Sequence, residues 1–315
     1  MQIDAVITWV DSSDESWRIK INQCLEKKID WLNKEESTRF NSINEIEICV
    51  HSILKFATYI KNIYLVTDKQ QPQNFENLRN KAQKDGVKLE LIDHSVIFSG
   101  YEEYLPTFNS QSIETVLYKI PNLAEHFVYF NDDFFLINKT KPEDFFKNKF
   151  PILRGEWIKV YREDEKNRKN FTPHNFTKIK TAQRIGFLKE IYSFHHTPHP
   201  MRKSVIKQYL EYNKGILEQN ISYKFRNEKQ FILQGLVNHI EIKNKNCYFD
   251  KNLSLVYMHN YDWFTILKKT IRADYRKEKD MFMCLQSLET VEEKKLKYLL
   301  KWVDKKLDSN FTDEL

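Results

Sequence analysis

The sequence predicts an α/β fold, with a largely parallel sheet flanked by helices and a mostly helical C-terminal half. Three observations carry this. Apolar, β-rich runs alternate with helical patterns through the first 150 residues. Each run closes on an acidic residue, and a parallel sheet gathers its strand ends along one edge. Beyond residue 200 helical spacing dominates.

The elements follow in order. "IDAVITWV" (3–10) is a β-rich run that ends in the polar cluster Asp11-Ser12-Ser13-Asp14. "INEIEICVHSILKFA" (43–57) sets Ile43, Ile46, Val50, Ile53, Leu54 and Ala57 at helical spacing. "IKNIYLVTD" (60–68) reads as a second strand, 73–86 as a polar helix stopped by Gly86, and "VKLELID" (87–93) as a third strand. "NSQSIETVLYKIP" (109–121) is a helix capped by Asn109 or Ser110 and ended by Pro121. "HFVYFNDDFFLI" (126–137) is expected as a fourth strand. On this reading Asp11, Asp14, Asp68, Asp93, Asp132 and Asp133 all fall at strand C-terminal ends.

Residues 161–186 are polar and charge-rich, so 151–190 is expected to be an insertion or loop between a core (1–150) and a mostly helical part (191–315). The last helical pattern, 292–307, sets Leu296, Leu299, Leu300, Val303 and Leu307 on one face with lysines opposite. Two readings stand open for it: a helix packed on the core, or a basic amphipathic helix on an anionic membrane surface.

Composition bounds the function. The 315-residue chain carries a net charge of +6, which suits an anionic substrate without selecting one. Its four cysteines stand far apart with no CxxC pair, so a disulfide framework or cysteine zinc site is not expected. No signal-peptide pattern opens the chain, and no window approaches the roughly 20 apolar residues of a membrane span. A cytoplasmic protein is expected. The six glycines are too widely spaced for GxGxxG or GxxxxGK[ST] phosphate loops. No aromatic-basic stripe points to nucleic acid.

Three constellations carry chemistry. Asn131-Asp132-Asp133 sits between aromatic tetrads, where two neighbouring carboxylates are costly unless a cation compensates. Mg²⁺ does so, taking one or two carboxylates plus phosphate oxygens. A strand-end turn is the plainer reading. Asp11 and Asp14, near Trp9 and Trp17, form either a nucleotide-binding loop or a helix cap. "YSFHHTPHPMRKSV" (192–205) brings His195, His196 and His199 together with Arg202 and Lys203, which reads as a base with phosphate-binding cations, a histidine metal site or a purely structural segment. Pro198 and Pro200 argue against a helix there. Downstream, Arg226 and Gln230 are spaced one helical turn apart.

Taken together, these stretches resemble the Stealth family of sugar-1-phosphate transferases. "IDAVITWVDSSD" is similar to the family's first conserved region. The segment from "RFNSINEIEICV" to "LPTFNSQSIETVLYKIPNLAEHFVYFNDDFFL" is similar to the second, and "HHTPHPMRKSV" with "FRNEKQF" to the third. The fourth region is faint at "FMCLQS", where Gln286-Ser287 replace an Asn-Asp pair, and Ser12 stands where the first region has Gly. The resemblance implies a GT-A-like fold and Mg²⁺ or Mn²⁺ on Asp132 and Asp133. It implies His196 as base or phosphate contact and Arg226 as phosphate-binding cation. Asp11, Asp14, Arg39, Glu45, Asn109, Ser110 and Asn131 would then contact substrate, joined by His199, Arg202, Lys203 and Gln230 on the reading above. The expected reaction moves a sugar-1-phosphate from a UDP-sugar (a UDP-hexose or UDP-N-acetylhexosamine) to a hydroxyl of a growing or lipid-linked glycan. UMP is released, in capsule or cell-surface polysaccharide synthesis, with peripheral contact at the inner face of the cell membrane. The alternatives are a GT-A glycosyltransferase releasing UDP and a non-catalytic binding protein.

Overall fold

A computed structural model describes residues 1–33, 43–160, 172–252, 254–276 and 279–314. Its centre is a five-stranded sheet. Four strands are parallel: β1 (Ile3–Thr8), β2 (Asn62–Thr67), β3 (Lys88–Asp93) and β4 (His126–Asn131). They run in the order β3-β2-β1-β4. Helices α1 (Glu15–Cys24), α2 (Glu45–Phe56), α3 (Phe75–Lys84) and α4 (Ser110–Thr115) fall in the crossovers.

Alternation along β1 shows why both faces are covered. Ile3, Ala5 and Ile7 enter one apolar cluster with α2 and α3, while Val6 enters the other with Val66, Phe127 and Tyr129. All are buried, as strands of a sheet packed on both faces must be.

The expected fourth strand is two strands. After Asn131 the chain turns at Asp132 and Asp133, and Phe134–Leu136 (β5) joins a different sheet. Asn and Asp favour turns because their side chains engage nearby backbone donors. The aromatics on either side are therefore buried by different partners.

The described residues of the stretch expected as a loop (151–190) carry regular structure: β6 (Phe150–Lys159) opens it, and α5 (Pro173–Ile185) lies within it, capped by Thr172 and stopped by Gly186 at φ 104°. β7 (Glu190–Phe194) then pairs antiparallel with β6. The apolar run Phe150 to Leu153 that opens β6 and the buried row Ile179, Ala182 and Ile185 on α5 account for these elements.

β8 (His199–Arg202) returns to the first sheet, antiparallel to β4 at its edge. Pro200 has no amide to donate, and an edge strand accommodates that. Helices α6 (Lys203–Tyr212), α7 (Lys214–Ile221) and α8 (Leu233–Lys243) cover the second face of the main sheet. β9 (Tyr248–Asp250) pairs parallel with β6.

β10 (Leu255–Met258) and β11 (Phe282–Leu285) complete the small sheet with β5, in the order β10-β11-β5. Between them runs α9 (Trp263–Tyr275), and α10 (Glu293–Leu307) follows. The apolar face of α10 is buried, so of its two readings the structure selects core packing. No helix among the described residues is long and apolar enough to cross a membrane.

Candidate active site

A cleft of about 440 Å³ opens where the parallel strands end. Thr8 ends β1 with Trp9 and Val10 after it, Val66 lies next to the end of β2, His94 follows β3, and Asn131 ends β4 with Asp132 and Asp133 after it; all line the cleft. From the second half come His174, His195, His196, His199, Arg226 and Gln234, with Gln286, Ser287 and Glu289 after β11.

The two carboxylates at the corner are strongly perturbed. Burial holds Asp132 well above the ordinary carboxylate range, reinforced by Asp133 and Glu45. Burial also pushes Asp133 up to about 6, opposed by a hydrogen bond from the Cys284 thiol. That thiol donates to Oδ2 over 3.4 Å, while Oδ1 is buried with no protein partner. Both residues keep partial exposure on the cleft side. An unpartnered buried carboxylate oxygen beside a second carboxylate suits a hard divalent cation. Among the described residues no group of three or more His, Cys, Asp or Glu side chains could hold a metal by itself. A cation here would complete its shell with ligand or water oxygens, as Mg²⁺ commonly does.

Glu114 was not singled out by the sequence, yet it lines the cleft from the first turns of α4. Burial raises its carboxyl to about 7, against hydrogen bonds from Gln234 and Tyr129 and the charge of Arg226. Tyr129 Oη stands 3.1 Å from Glu114 Oε1 and 2.7 Å from Asn131 Oδ1. One phenolic proton cannot serve both acceptors. A protonated Glu114 would donate to Tyr129, which donates to Asn131. The group is poised to exchange a proton near neutrality.

His196 stacks on Tyr257, with centroids 5.0 Å apart at 7°. Burial lowers it to about 4, helped by Lys178 and His195. Burial likewise brings His199 to about 3. Lowered this far, both rings line the cleft in their neutral form at pH 7. Arg226 is exposed at the rim and donates to Ser110 Oγ over 3.2 Å.

The cleft thus unites Glu45, Ser110, Asn131, Asp132, Asp133, His196, His199 and Arg226. Other residues expected there are engaged elsewhere. Asp14 caps α1 and accepts from Gln70, whose Oε1 receives the Asp11 amide. Asp68 pairs with Lys20, and Asp93 caps the short helix His94–Ile97. Strand-end carboxylates therefore converge on the cleft only at Asp132 and Asp133.

Asn109 and Gln230 bond each other in a buried network with Ser112 and Asn220 that fastens α4 to α7. The helix expected through 226–230 is absent, and α8 starts only at Leu233. Gln230 therefore turns inward while Arg226 stays in the cleft. Arg202 forks onto the buried Glu241, and Lys203 donates to the Leu123 carbonyl. Arg39 lies outside the described residues.

Four further cleft residues carry buried polar atoms without protein partners: His94 Nδ1, Thr107 Oγ1, Gln111 Oε1 and Gln234 Oε1. Buried polar groups are nearly always paired, so their concentration here marks a surface shaped for a polar ligand. No local motif announces them, because their burial depends on elements distant in sequence.

The chain is similar in sequence to several known proteins. Residues 39–152 match the model described as Stealth protein CR2, conserved region 2. A capsular polysaccharide phosphotransferase, cps1A of Actinobacillus pleuropneumoniae, is 35% identical over 68% of this chain and 58% of its own length. LcbA of Neisseria meningitidis, another capsular polysaccharide phosphotransferase, is 33% identical over 74% of this chain and 62% of its own. The exopolysaccharide phosphotransferase cps2G of Lactiplantibacillus plantarum is 31% identical over 71% of each. The matches thus span less than two thirds of the two capsular relatives. Among solved structures, the Streptococcus pneumoniae glycosyltransferase GlyE gives a TM-score of 0.47 at 11% identity, over all of this chain and 64% of its own. That distant likeness carries no functional inference.

Proposed function

Because the chain belongs to the Stealth family, we propose that it is a polysaccharide phosphotransferase that moves a sugar-1-phosphate from a nucleoside-diphosphate sugar to a glycan hydroxyl. The observation that carries the reading is the Asp132-Asp133 corner, with the unpartnered Asp133 Oδ1, in one cleft with Arg226 and Glu114.

The nucleoside end of a UDP-sugar is assigned to Trp9, Val10 and Val66, with His94 Nδ1 and Thr107 Oγ1 gaining partners. Asp132 and Asp133 would hold Mg²⁺ or Mn²⁺, which when bound supplies positive charge to the diphosphate oxygens. Arg226, at the cleft rim, adds a second cationic group. The acceptor hydroxyl oxygen attacks the β-phosphorus and its proton passes to the ionised Glu114. The bond from that phosphorus to the bridging oxygen breaks, and UMP departs with the bridging oxygen. Glu114 suits the base role better than His196, since its carboxyl titrates near 7 and the ring near 4. Positioning and charge neutralisation supply most of the rate in such transfers.

The test is product analysis. Purified protein with Mg²⁺, a panel of UDP-sugars and a glycan acceptor should release UMP and form an acid-labile phosphodiester. Release of UDP instead would place the attack at the anomeric carbon and overturn the assignment.

A further inference from the structure

The helix expected on a membrane was α10, whose apolar face is buried. Its neighbour α9 shows the opposite. It packs inward through Ile266, Thr270 and Ala273 only. Phe264, Leu267, Ile271 and Tyr275 fall on one outward stripe and are 73%, 40%, 62% and 89% exposed. Trp263, 43% exposed, sits at the head of the stripe with its ring edge against Tyr298 of α10. A contiguous apolar stripe of this kind on a soluble surface marks an interaction site.

The unpaired side-chain cations around the stripe are lysines. Lys268 lies on it, its ammonium 5.7 Å from the Phe264 ring centroid. α10 runs alongside, joined through Tyr298 and through Trp302 and Lys306, which both hold Asp274. Helical spacing from Tyr298 brings the exposed Lys301 and Lys305 to the α9 side. Lys268, Lys301 and Lys305 form no ion pair among the described residues. The acidic groups of α9 are occupied: Asp262 caps the helix through Thr265, and Asp274 is paired.

We propose that the α9 face docks on an anionic lipid bilayer, with Phe264, Leu267 and Ile271 entering the acyl boundary and the lysines meeting headgroup phosphates. Charge complementarity selects this occupant, since a second copy of the chain would bring the same lysines against each other. At 13 residues α9 lies in the interface and does not span it. The stripe begins two residues after Tyr261, whose hydroxyl donates to the carbonyl of the cleft residue Gln286. Docking would therefore hold the cleft mouth close to the lipid surface.

Co-sedimentation tests this with the full chain and two vesicle types, phosphatidylglycerol mixed equally with phosphatidylcholine, and phosphatidylcholine alone. The wild type should pellet with the anionic vesicles, less as salt rises, and bind the neutral ones far more weakly. The double variant Phe264→Ser, Ile271→Ser should lose binding by roughly tenfold or more with its melting temperature unchanged. Wild-type protein left in the supernatant with anionic vesicles would overturn the proposal. So would undiminished binding by the folded double variant. A doubling of mass in light scattering that the variant abolishes would assign the stripe to self-association and overturn it equally.

Discussion

Asp133 is held in a corner that disfavours its charge, with one oxygen on a thiol and the other on nothing in the protein. Asp133→Asn keeps the shape and an acceptor for Cys284 but removes the charge. Turnover should fall by at least about a hundredfold, while the melting temperature of the ligand-free protein stays level or rises. Loss of the fold would show instead that the carboxylate is structural. Glu114 gives a signed pH dependence. Its folded carboxyl titrates near 7 against an ordinary 4.5, so between those values the folded chain holds a proton that the unfolded chain has released. Stability must then fall as pH rises from about 4.5 to 7, by about 3 kcal/mol from this group. Glu114→Gln should flatten that slope in urea titrations across the range and lower activity. An unchanged slope would mean that Glu114 ionises normally. Neither residue was equally legible in the sequence. The adjacent aspartates between aromatics were conspicuous, whereas Glu114 sat in an ordinary-looking polar helix and is enclosed by Tyr129 together with Gln234 from the far half of the chain.

At the scale of elements, the parallel strands were legible because each is a short apolar run with a polar end. β8 was not, since Pro198 and Pro200 argued only against a helix, and an edge position is what makes a strand with Pro200 tolerable. The split between β4 and β5 was hidden as well, because both halves are equally apolar and only the partner strands differ. The pairing of β6 with β7 depends on one glycine. A Cβ at Gly155 would stand 2.3 Å from the Ser193 carbonyl oxygen and 2.9 Å from the Phe194 Cα, both backbone atoms. Gly155→Ala should therefore cost about 1–3 kcal/mol, read as a lower denaturation midpoint. Activity should drop too, because Phe194 and His195 at the end of this pairing line the cleft. A neutral result would show that the two strands can separate without loss.

For the whole molecule, the cleft is closed by parts that the sequence reading divided among three regions. Strand ends from the first region, His174 from the second, and the histidine segment with the turn after β11 from the third all line it. Mn²⁺ added to the protein without sugar nucleotide should raise its melting temperature by mass action, and chelation should reverse that and abolish turnover without changing the circular dichroism spectrum. A melting temperature indifferent to Mn²⁺ would remove the metal from the free enzyme. The β5–β11 pairing also has a consequence in time. Cys284 is 151 residues downstream of the Asp133 that it contacts. At about 5–20 residues per second, a ribosome needs on the order of ten seconds to deliver the second after the first. Throughout that interval β5 has no strand beside it and the paired aspartates have no wall. The nascent chain can build the parallel strands of its central sheet early, but the cleft comes into being only after β11 has been made.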